Sequence, residues 1–407
     1  MKQNRWIPVI AGSLIFLVTG MVYAWGTFSL SISQEFPQWT QAQLSLTFSL
    51  VWTFFCLGGI LSGMIAGKVK PTYILLTCGV LFLVSFLLTA NTNTLAMLYI
   101  AFGVLGGLVT GVAYNTVLAT VTKWFPSRPG ICSGILLTSF GFSSFLIGNT
   151  YQAVTPAEIG AWRGSFTVLG IIVAAVLCLC APWVRLPGPD FREKAAEKKQ
   201  TVEDRTPAQM LRSPQFWLFY IWATLLVGCG SSLVSHANRF AMESSSLTTP
   251  AAIALASSLI AVCNGASRPL FGWVFDRFGK KTAMLVANGG FALAALILIA
   301  GLMLSSFPLV VVGFVVCGIS YGGMPPCVSA FIGATYGQKH YPINFSIYNT
   351  NLIIATLGST LTGALYDSTG SYRAFSMVFL LLTVVGIALI FAVTAFDKKN
   401  ARIKASL

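Results

Sequence analysis

Residues 264–281 read NGASRPLFGWVFDRFGKK. The first half of this stretch is mostly apolar but carries Arg268, and the second half ends in a polar turn that begins at Asp276. Long apolar runs lie on both sides of the turn, at 250–275 and 281–304. Because about 20 apolar residues in a helix cross a bilayer, the stretch predicts two membrane-spanning helices joined by a short basic turn.

Twelve such apolar runs follow one another along the chain. The composition agrees, with 56% hydrophobic residues, 9% charged residues and a mean hydropathy of +0.78. Soluble domains have about 25% charged residues, so a water-soluble globule is excluded. We predict an all-α integral membrane protein with twelve transmembrane helices, named spans 1–12, at 6–32, 42–67, 72–90, 94–122, 131–155, 164–184, 214–238, 250–275, 281–304, 308–335, 343–366 and 372–396.

A long polar stretch at 185–213 separates the first six spans from the last six. Near its end, Thr206 and Pro207 have the order of a helix cap followed by a first-turn proline. This order predicts a short surface helix before span 7. The predicted domains are a six-helix bundle at 1–184, a cytoplasmic linker at 185–213, a second six-helix bundle at 214–396 and a cytoplasmic tail at 397–407.

The two halves are weakly repeated in sequence. The segment GMIAGK that begins at Gly63, at the end of span 2, aligns with GWVFDR, which begins at Gly272 at the end of span 8. Trp6 and Trp217 open the first span of each half. Weak internal repeats of this kind are typical of secondary transporters whose two halves are related by an axis along the membrane normal.

The basic residues are distributed unevenly between the two sides of the predicted membrane. Of the 25 Lys and Arg residues, 21 fall on the side of the N-terminus, and the other side has only Arg163, Arg239 and Arg373. Since loops rich in Lys and Arg remain cytoplasmic, both termini are expected in the cytoplasm, in a multi-pass protein of the cell (inner) membrane. The net charge of +14 therefore indicates topology in the lipid bilayer and no nucleic-acid partner.

The sequence also bounds the chemistry of the protein. All nine cysteines lie inside apolar runs, so no disulfide, metal site or cofactor is expected. The chain has no His-Glu-x-x-His motif and no phosphate-binding Walker loop. We predict that the protein is not an enzyme, and that it is a monomer.

Arg268 is the basic residue that lies deep inside a predicted span, whereas Lys281 and Arg373 lie at the ends of spans 9 and 12. Its position eight residues before Asp276, at ~1.5 Å per residue, places it ~12 Å into a hydrocarbon core of half-thickness ~15 Å. Such a charge costs roughly 2.5–3.5 kcal/mol on insertion scales, and the sequence has no Asp or Glu within a predicted span. The missing anion is expected to be the substrate, since a guanidinium binds a carboxylate through two parallel hydrogen bonds. The alternative is a structural arginine satisfied by helix-end carbonyls and water.

Other polar side chains in the spans are candidates to complete a substrate site. Each of them could donate a hydrogen bond to a carboxylate, or could equally satisfy a neighbouring helix. Asn264 lies one turn before Arg268 on the same helix face and is expected to orient the guanidinium. The remaining candidates are Tyr23, Tyr114, Asn115, Tyr321, Tyr348 and Asn351.

Coupling and gating have their own candidates. His236, near the outer end of span 7, is the candidate for proton coupling, and the alternative is a histidine that faces the membrane interface. Asp276 and Arg277 are candidates for a cytoplasmic gate, because an aspartate can pair with basic groups and with a helix end. The alternative for this pair is a tight turn whose charges set the topology.

Several short motifs together resemble a known family. They are Asn4-Arg5-Trp6, GVAYNT from Gly111, WFPSRPG from Trp124, SPQFW from Ser213, NGASRP from Asn264 and YGG from Tyr321. Over nearly the whole chain the combination resembles the oxalate/formate antiporter family of the major facilitator superfamily, with its bacterial monocarboxylate transporter members. The resemblance implies a fold of two six-helix bundles, alternating access for small carboxylates, and Arg268 as the carboxylate anchor.

Two departures from that family refine the expected substrate. Asn351 stands where dicarboxylate-handling members have a lysine, so one central positive charge favours a monoanion. Asn264 stands where animal-type proton-coupled members have an aspartate. We predict a secondary active transporter for small monocarboxylates of the lactate, pyruvate and formate class, with a proton as the expected coupling ion. The alternatives are a carboxylate exchanger of the oxalate/formate type, a carboxylate sensor without transport, and an exporter of hydrophobic drugs.

Overall fold

The computed structural model describes residues 4–156, 158–188, 203–244 and 249–405. Within these residues the named elements are helices, and no named strand is present among them. A helix satisfies its backbone N–H and C=O groups internally, as a segment inside a bilayer must. The predicted all-α class is confirmed.

Ten helices within the described residues are long and apolar enough to cross a membrane. One of them, Leu255–Met303, contains both span 8 and span 9. The chain turns between the two spans at Gly279, which has φ 79° and ψ 174°. This backbone conformation is accessible to glycine without steric cost. Span 11 is not among the ten, and in the structure it consists of two helices, Tyr341–Asn349 and Asn351–Thr369. The twelve predicted spans are therefore all helical.

The first of two compact units contains spans 1–6 together with residues 332–350. Thr40 and Gln43 form a reciprocal capping box at the start of span 2, and Pro71 and Pro129 begin spans 3 and 5. The helical segments of spans 1–6 are Trp6–Thr19, Gly20–Ala24, Trp25–Glu35, Gln41–Ile65, Pro71–Ala90, Leu95–Leu98, Tyr99–Gly106, Gly107–Val121, Thr122–Trp124, Pro129–Val154, Trp162–Cys180 and Ala181–Trp183.

The second compact unit contains spans 7–10, the second helix of span 11, and span 12. The short helix predicted before span 7 is present, and the hydroxyl of Thr206 accepts a hydrogen bond from the backbone N–H of Gln209 at 3.3 Å. The helix Met324–Tyr336 belongs to this unit up to Phe331. The helices of the unit are Pro207–Leu211, Pro214–Ser244, Pro250–Met303, Phe307–Gly322, Met324–Tyr336, Asn351–Thr369 and Tyr372–Ala405.

Residues 332–350 belong by sequence to the second half of the chain but pack with the first six spans. Residues 189–202 of the predicted linker lie outside the described residues. The division into domains at 1–184, 185–213, 214–396 and 397–407 stays a prediction.

In each unit an arginine at the start of one span donates a hydrogen bond to a carbonyl at the end of another. The pairs are spans 6 and 3 in the first unit and spans 12 and 9 in the second. In the first unit, Nη1 of Arg163 donates to the carbonyl of Ala90 at 2.8 Å. In the second unit, Nη2 of Arg373 donates to the carbonyl of Leu302 at 2.9 Å. The weak sequence repeat is thus accompanied by a repeated side-chain contact.

A glutamate near the end of the first span of each unit contacts the start of the last span of that unit. Glu35 forms an ion pair with Arg163, with 2.7 Å between Oε1 and Nη2. The corresponding Glu243 accepts the backbone N–H of Tyr372 at 2.8 Å. In both units the first and sixth helices are therefore joined through a carboxylate.

Candidate anion-binding site

Arg268 lies within the helix Pro250–Met303, and its side chain is buried with 6% exposure. Nη2 and Nε of the guanidinium donate to Oδ1 of Asn264 at 2.8 and 3.3 Å. The two residues are one turn apart, so their side chains lie on the same face of the helix. The structure therefore shows Asn264 holding one edge of the guanidinium, as the sequence predicts.

Span 10 packs directly on the helix that carries Arg268. The hydroxyl of Ser267 donates to the carbonyl of Ile319 at 2.8 Å. Gly322 has no room for a side chain, because a Cβ there would overlap the carbonyl of Asn264 and the hydroxyl of Ser267. The close approach and the interhelical hydrogen bond together fix the backbone immediately before Arg268.

Two further candidates lie in the same unit as Arg268. Tyr321 is half-buried, and its ring covers Gly230 of span 7, where a Cβ would come within 2.6 Å of the ring. Asn351 is buried with 1% exposure and begins the helix Asn351–Thr369 directly after the interruption in span 11.

One pentapeptide of span 10 matches a catalytic motif in its residue spacing. Gly318–Gly322 reads GISYG, which has the spacing of a hydrolase nucleophile motif. That motif requires a sharp strand-to-helix turn, whereas here the segment is regular helix and the Ser320 hydroxyl donates to the carbonyl of Val316 at 2.9 Å. The geometry does not present Ser320 as a nucleophile.

His236 connects three spans of the second unit. Its Nε2 lies 3.0 Å from the carbonyl oxygen of Ser359, and its Nδ1 lies 3.0 Å from the hydroxyl of Tyr372. A carbonyl only accepts, so Nε2 carries the proton, and in the neutral ring Nδ1 accepts from the tyrosine. Both ring nitrogens therefore have hydrogen-bond partners, and the role of His236 in proton coupling stays a prediction.

Asp276 and Arg277 lie in the turn between spans 8 and 9. Asp276 is half-buried and Arg277 is exposed. Nearby, the ammonium group of Lys280 lies 5.4 Å from the ring centroid of Phe331. The turn has the compact geometry expected of a loop at Gly279, and the gating role of the pair stays a prediction.

An aromatic cluster surrounds the candidate tyrosines of the first unit. Tyr114, which is 7% exposed, stacks on Phe16 with 5.0 Å between ring centroids and meets Phe140 edge-on at 5.1 Å. Tyr23 is 42% exposed and contacts Phe140 at 5.6 Å. We define the aromatic cluster as Phe16, Tyr23, Trp52, Phe55, Tyr114 and Phe140.

Asn115 is buried with 1% exposure and bonds to the backbone of two other helices. Its Nδ2 donates to the carbonyls of Gly59 in span 2, at 3.1 Å, and of Pro342 in span 11, at 3.0 Å. An anion would have to compete with both carbonyls for these hydrogens. The geometry favours a structural link, and the substrate role of Asn115 stays a prediction.

Tyr348 lies on the helix Tyr341–Asn349 and is 2% exposed. Phe345, on the same helix, stacks on Tyr114 with 6.2 Å between centroids and 14° between planes. The helix that carries Tyr348 is thereby placed beside the aromatic cluster.

The structure thus distributes the predicted substrate residues over the two units. Arg268, Asn264, Tyr321 and Asn351 are in the second unit, and Tyr23, Tyr114, Asn115 and Tyr348 are in the first.

Sequence reasoning missed the aromatic cluster as a unit. A signal was present, since Phe16 and Tyr23 are seven residues apart and Trp52 and Phe55 are three apart, which puts each pair on one helix face. It also missed the hydrogen bond from Ser267 to span 10, for which the sequence offers no clear signal.

Comparison with known proteins agrees with the fold. The profile of the Major Facilitator Superfamily matches residues 9–248 and 240–406. The chain belongs to the Major Facilitator Superfamily.

Individual relatives are distant in sequence but cover most of the chain. An oxalate:formate antiporter of Oxalobacter formigenes is 25% identical, with 97% of this chain and 91% of the relative covered. Monocarboxylate transporter 13 of Rattus norvegicus is 25% identical, with 89% and 82% covered. A crystal structure of the E. coli fucose:proton symporter FucP superposes with a TM-score of 0.70 at 15% identity, covering 97% and 99% of the two chains. The last likeness concerns the fold alone.

Proposed function

We propose that this protein is a secondary active transporter that moves small monocarboxylate anions across the membrane by alternating access. The observation that carries the proposal is the buried guanidinium of Arg268, held on one edge by the neutral amide of Asn264. Membership of a transporter superfamily supports it, as do relatives named as an oxalate:formate antiporter and a monocarboxylate transporter.

Arg268 is suited to a carboxylate by geometry as well as by charge. Its guanidinium has five N–H donors in a planar fork, and Oδ1 of Asn264 accepts from two of its nitrogen atoms. The edge formed by Nη1 and Nη2 matches the spacing of two carboxylate oxygens. A neutral amide orients the fork without cancelling its charge, which an aspartate at position 264 would do.

The charge of the proposed substrate follows from the residues of the unit that contains Arg268. Asn351, buried in the same unit, adds no second positive charge, so the site suits a monoanion better than a dianion. In the other unit, Phe16 and Phe140 pack around Tyr114 with bulky apolar surface. The substrate roles of Tyr23, Tyr114 and Tyr348, which lie in that unit, stay predictions from the sequence. Within the unit of Arg268, we propose Tyr321 as a further polar contact for the substrate.

The remaining parts of the transport scheme are assigned as follows. We place both termini in the cytoplasm of a cell-membrane protein, from the distribution of the basic residues. The expected coupling ion is a proton, with His236 as the candidate carrier, and Asp276 with Arg277 as the cytoplasmic gate. The protein acts as a transporter without catalytic activity.

Counterflow in proteoliposomes tests the proposal. Vesicles are loaded with unlabelled L-lactate, and labelled lactate is supplied outside with or without excess oxalate. We expect rapid accumulation of label that oxalate does not block, because a single central cation favours the monoanion. The same assay is repeated with formate on both sides. If neither labelled lactate nor labelled formate accumulates in the vesicles, the proposal is overturned.

The second candidate is an exchanger of the oxalate/formate type. It is favoured by the 97% coverage of this chain in the alignment to the oxalate:formate antiporter. Strong competition by oxalate, together with trans-stimulation that does not depend on pH, would support this exchanger over the proton-linked carrier.

A further inference from the structure

An apolar groove runs between spans 1 and 5 of the first unit. It has a volume of about 350 Å³, and its lining is almost entirely apolar. Trp6, Ile10 and Leu14 line it from span 1 and are 47%, 60% and 45% exposed. Ile135 lines it from span 5. The groove is open at the surface of the protein and has little polar surface to hold a sugar or a carboxylate.

Two basic residues, Arg5 and Arg128, lie close to Phe125 near the end of this groove that holds Trp6. The ring of Trp6 lies 5.3 Å from that of Phe125, and the guanidinium of Arg5 lies 5.1 Å from the same ring. The backbone N–H of Arg128 donates to the carbonyl of Phe125 at 3.0 Å, and the side chain of Arg128 is exposed. Phe125 thus contacts the side chains of Arg5 and Trp6 and the backbone of the exposed Arg128 near the mouth of the groove.

The dimensions of the groove match one leaflet of a bilayer. From Trp6 to Leu17 the lining helix advances eleven residues, or ~16 Å at ~1.5 Å per residue. Half of the hydrocarbon core is ~15 Å thick. The groove is therefore long enough to extend from the level of the lipid headgroups to about the bilayer centre, which is the depth that one acyl chain spans. A tryptophan at its mouth has the interfacial position that this residue prefers.

We propose that the groove between spans 1 and 5 is a binding site for an anionic phospholipid of the leaflet on the N-terminal side. Arg5 and Arg128 bind the phosphate, and one acyl chain lies along Trp6, Ile10 and Leu14. Basic clusters beside transmembrane helices attract anionic headgroups. The apolar lining and the charged mouth are both needed for this ligand, and a neutral lipid would use the lining alone.

Native mass spectrometry of the full-length protein in detergent tests this site. The purified protein is titrated with phosphatidylglycerol or with phosphatidylcholine of the same acyl chains, and bound lipid is counted. We expect one phosphatidylglycerol to bind at least tenfold more tightly than phosphatidylcholine. The double variant Arg5→Gln/Arg128→Gln should reduce that preference by on the order of tenfold or more, from the loss of two charges. Its matched control is Lys68→Gln/Lys70→Gln, which neutralises two exposed lysines in another loop.

A second pair of variants tests the apolar wall. Ile10→Trp fills the groove and should weaken the binding of both lipids, whereas Ile100→Trp alters an equally exposed apolar residue of span 4 and should not. Equal binding of both lipids by the unaltered protein would overturn the proposal. So would equal effects of the arginine and lysine variants, or displacement of the lipid by inorganic phosphate at the same concentration.

Discussion

Asn115 and Pro342 are 227 residues apart in the chain, yet the side-chain amide of Asn115 donates to the carbonyl of Pro342 at 3.0 Å. The same nitrogen donates to the carbonyl of Gly59 at 3.1 Å. One buried side chain therefore joins span 4, span 2 and the first helix of span 11. Close approach supports the link, because a Cβ at Gly63 would lie 2.5 Å from the Cα of Ile343.

Replacement of Asn115 should loosen the first unit. Asn115→Leu keeps the branched shape and the number of side-chain heavy atoms but removes both N–H donors. Interhelical hydrogen bonds in membrane proteins contribute about 0.6 kcal/mol on average and up to about 1.7. We expect a loss of about 1–3 kcal/mol in the free energy of unfolding, measured as a lower thermal midpoint in detergent. Thr116→Val, which removes one buried hydroxyl contact with Ser62 at 2.9 Å, is the matched control and should cost less. Equal midpoints for Asn115→Leu and the unaltered protein would contradict the link.

Arg268 should be required for transport and not for folding. Arg268→Gln removes the charge, and a hydrogen bond to a charged group contributes about 1.5–3 kcal/mol, so uptake of labelled L-lactate at low concentration should fall by at least about tenfold. Arg268→Lys keeps the charge but lacks the planar fork, so its uptake of lactate should lie between that of Arg268→Gln and that of the unaltered protein. Wild-type uptake by a well-folded Arg268→Gln protein would refute the proposed anchor.

The importance of a neutral side chain at position 264 can be tested by introducing a negative charge there. Asn264→Asp places a carboxylate at the same distance from Arg268 and should compete with the substrate for the guanidinium. We expect a rise in KM for lactate of at least several-fold, with a smaller rise for Asn264→Ala, which only frees the fork to move. The comparison is made by concentration-dependent uptake. An Asp variant that binds lactate better than the Ala variant would show that orientation matters more than charge here.

Asn351 should set the preference between monoanions and dianions. Asn351→Lys adds a second positive charge at a buried position of the same unit as Arg268. We expect oxalate to become a stronger competitor of lactate counterflow, while formate transport falls because an unneutralised second charge must be occluded. Asn349→Lys, two residues away at the end of the preceding helix Tyr341–Asn349, is the control. If both variants respond to oxalate alike, the effect is one of net charge and does not locate the site.

Arg163 should contribute to stability more than its exposure suggests. It donates to Glu35, to the carbonyl of Ala90 and to the side chain of Asn93, so Arg163→Ala breaks contacts to three elements at once. We expect a loss of about 1–3 kcal/mol in the free energy of unfolding. Arg373→Ala should produce a similar but smaller loss through its contact with Leu302. Lys70→Ala, an exposed basic residue, provides the baseline for thermal unfolding.

The fold was predictable from sequence because a bilayer permits so few arrangements. Apolar runs of sufficient length must be helices, and the interruption at Gly279 is marked by the polar residues around it. The break in span 11 was not predictable in the same way, because Asn349, Thr350 and Asn351 occur inside an otherwise apolar run and differ little from polar residues in intact helices.

The candidate site was predictable where it depends on one helix. Asn264 and Arg268 are one turn apart, so their contact follows from helical geometry alone. Contacts between distant segments were not accessible. The sequence makes Asn115 a substrate candidate, with contact to a neighbouring helix as an equal alternative, and it does not show that the amide reaches a carbonyl 227 residues later.

The position of residues 332–350 in the first unit has a consequence for biosynthesis. The ribosome finishes the first six spans long before it makes this segment. At about 5–20 residues per second, the nascent first unit waits roughly 10–30 s with the amide of Asn115 and the small-residue face around Gly63 uncovered. The early spans are thus a partly assembled intermediate that depends on insertion of a late one, and a truncated chain ending before span 11 is expected to be a substrate for membrane quality control.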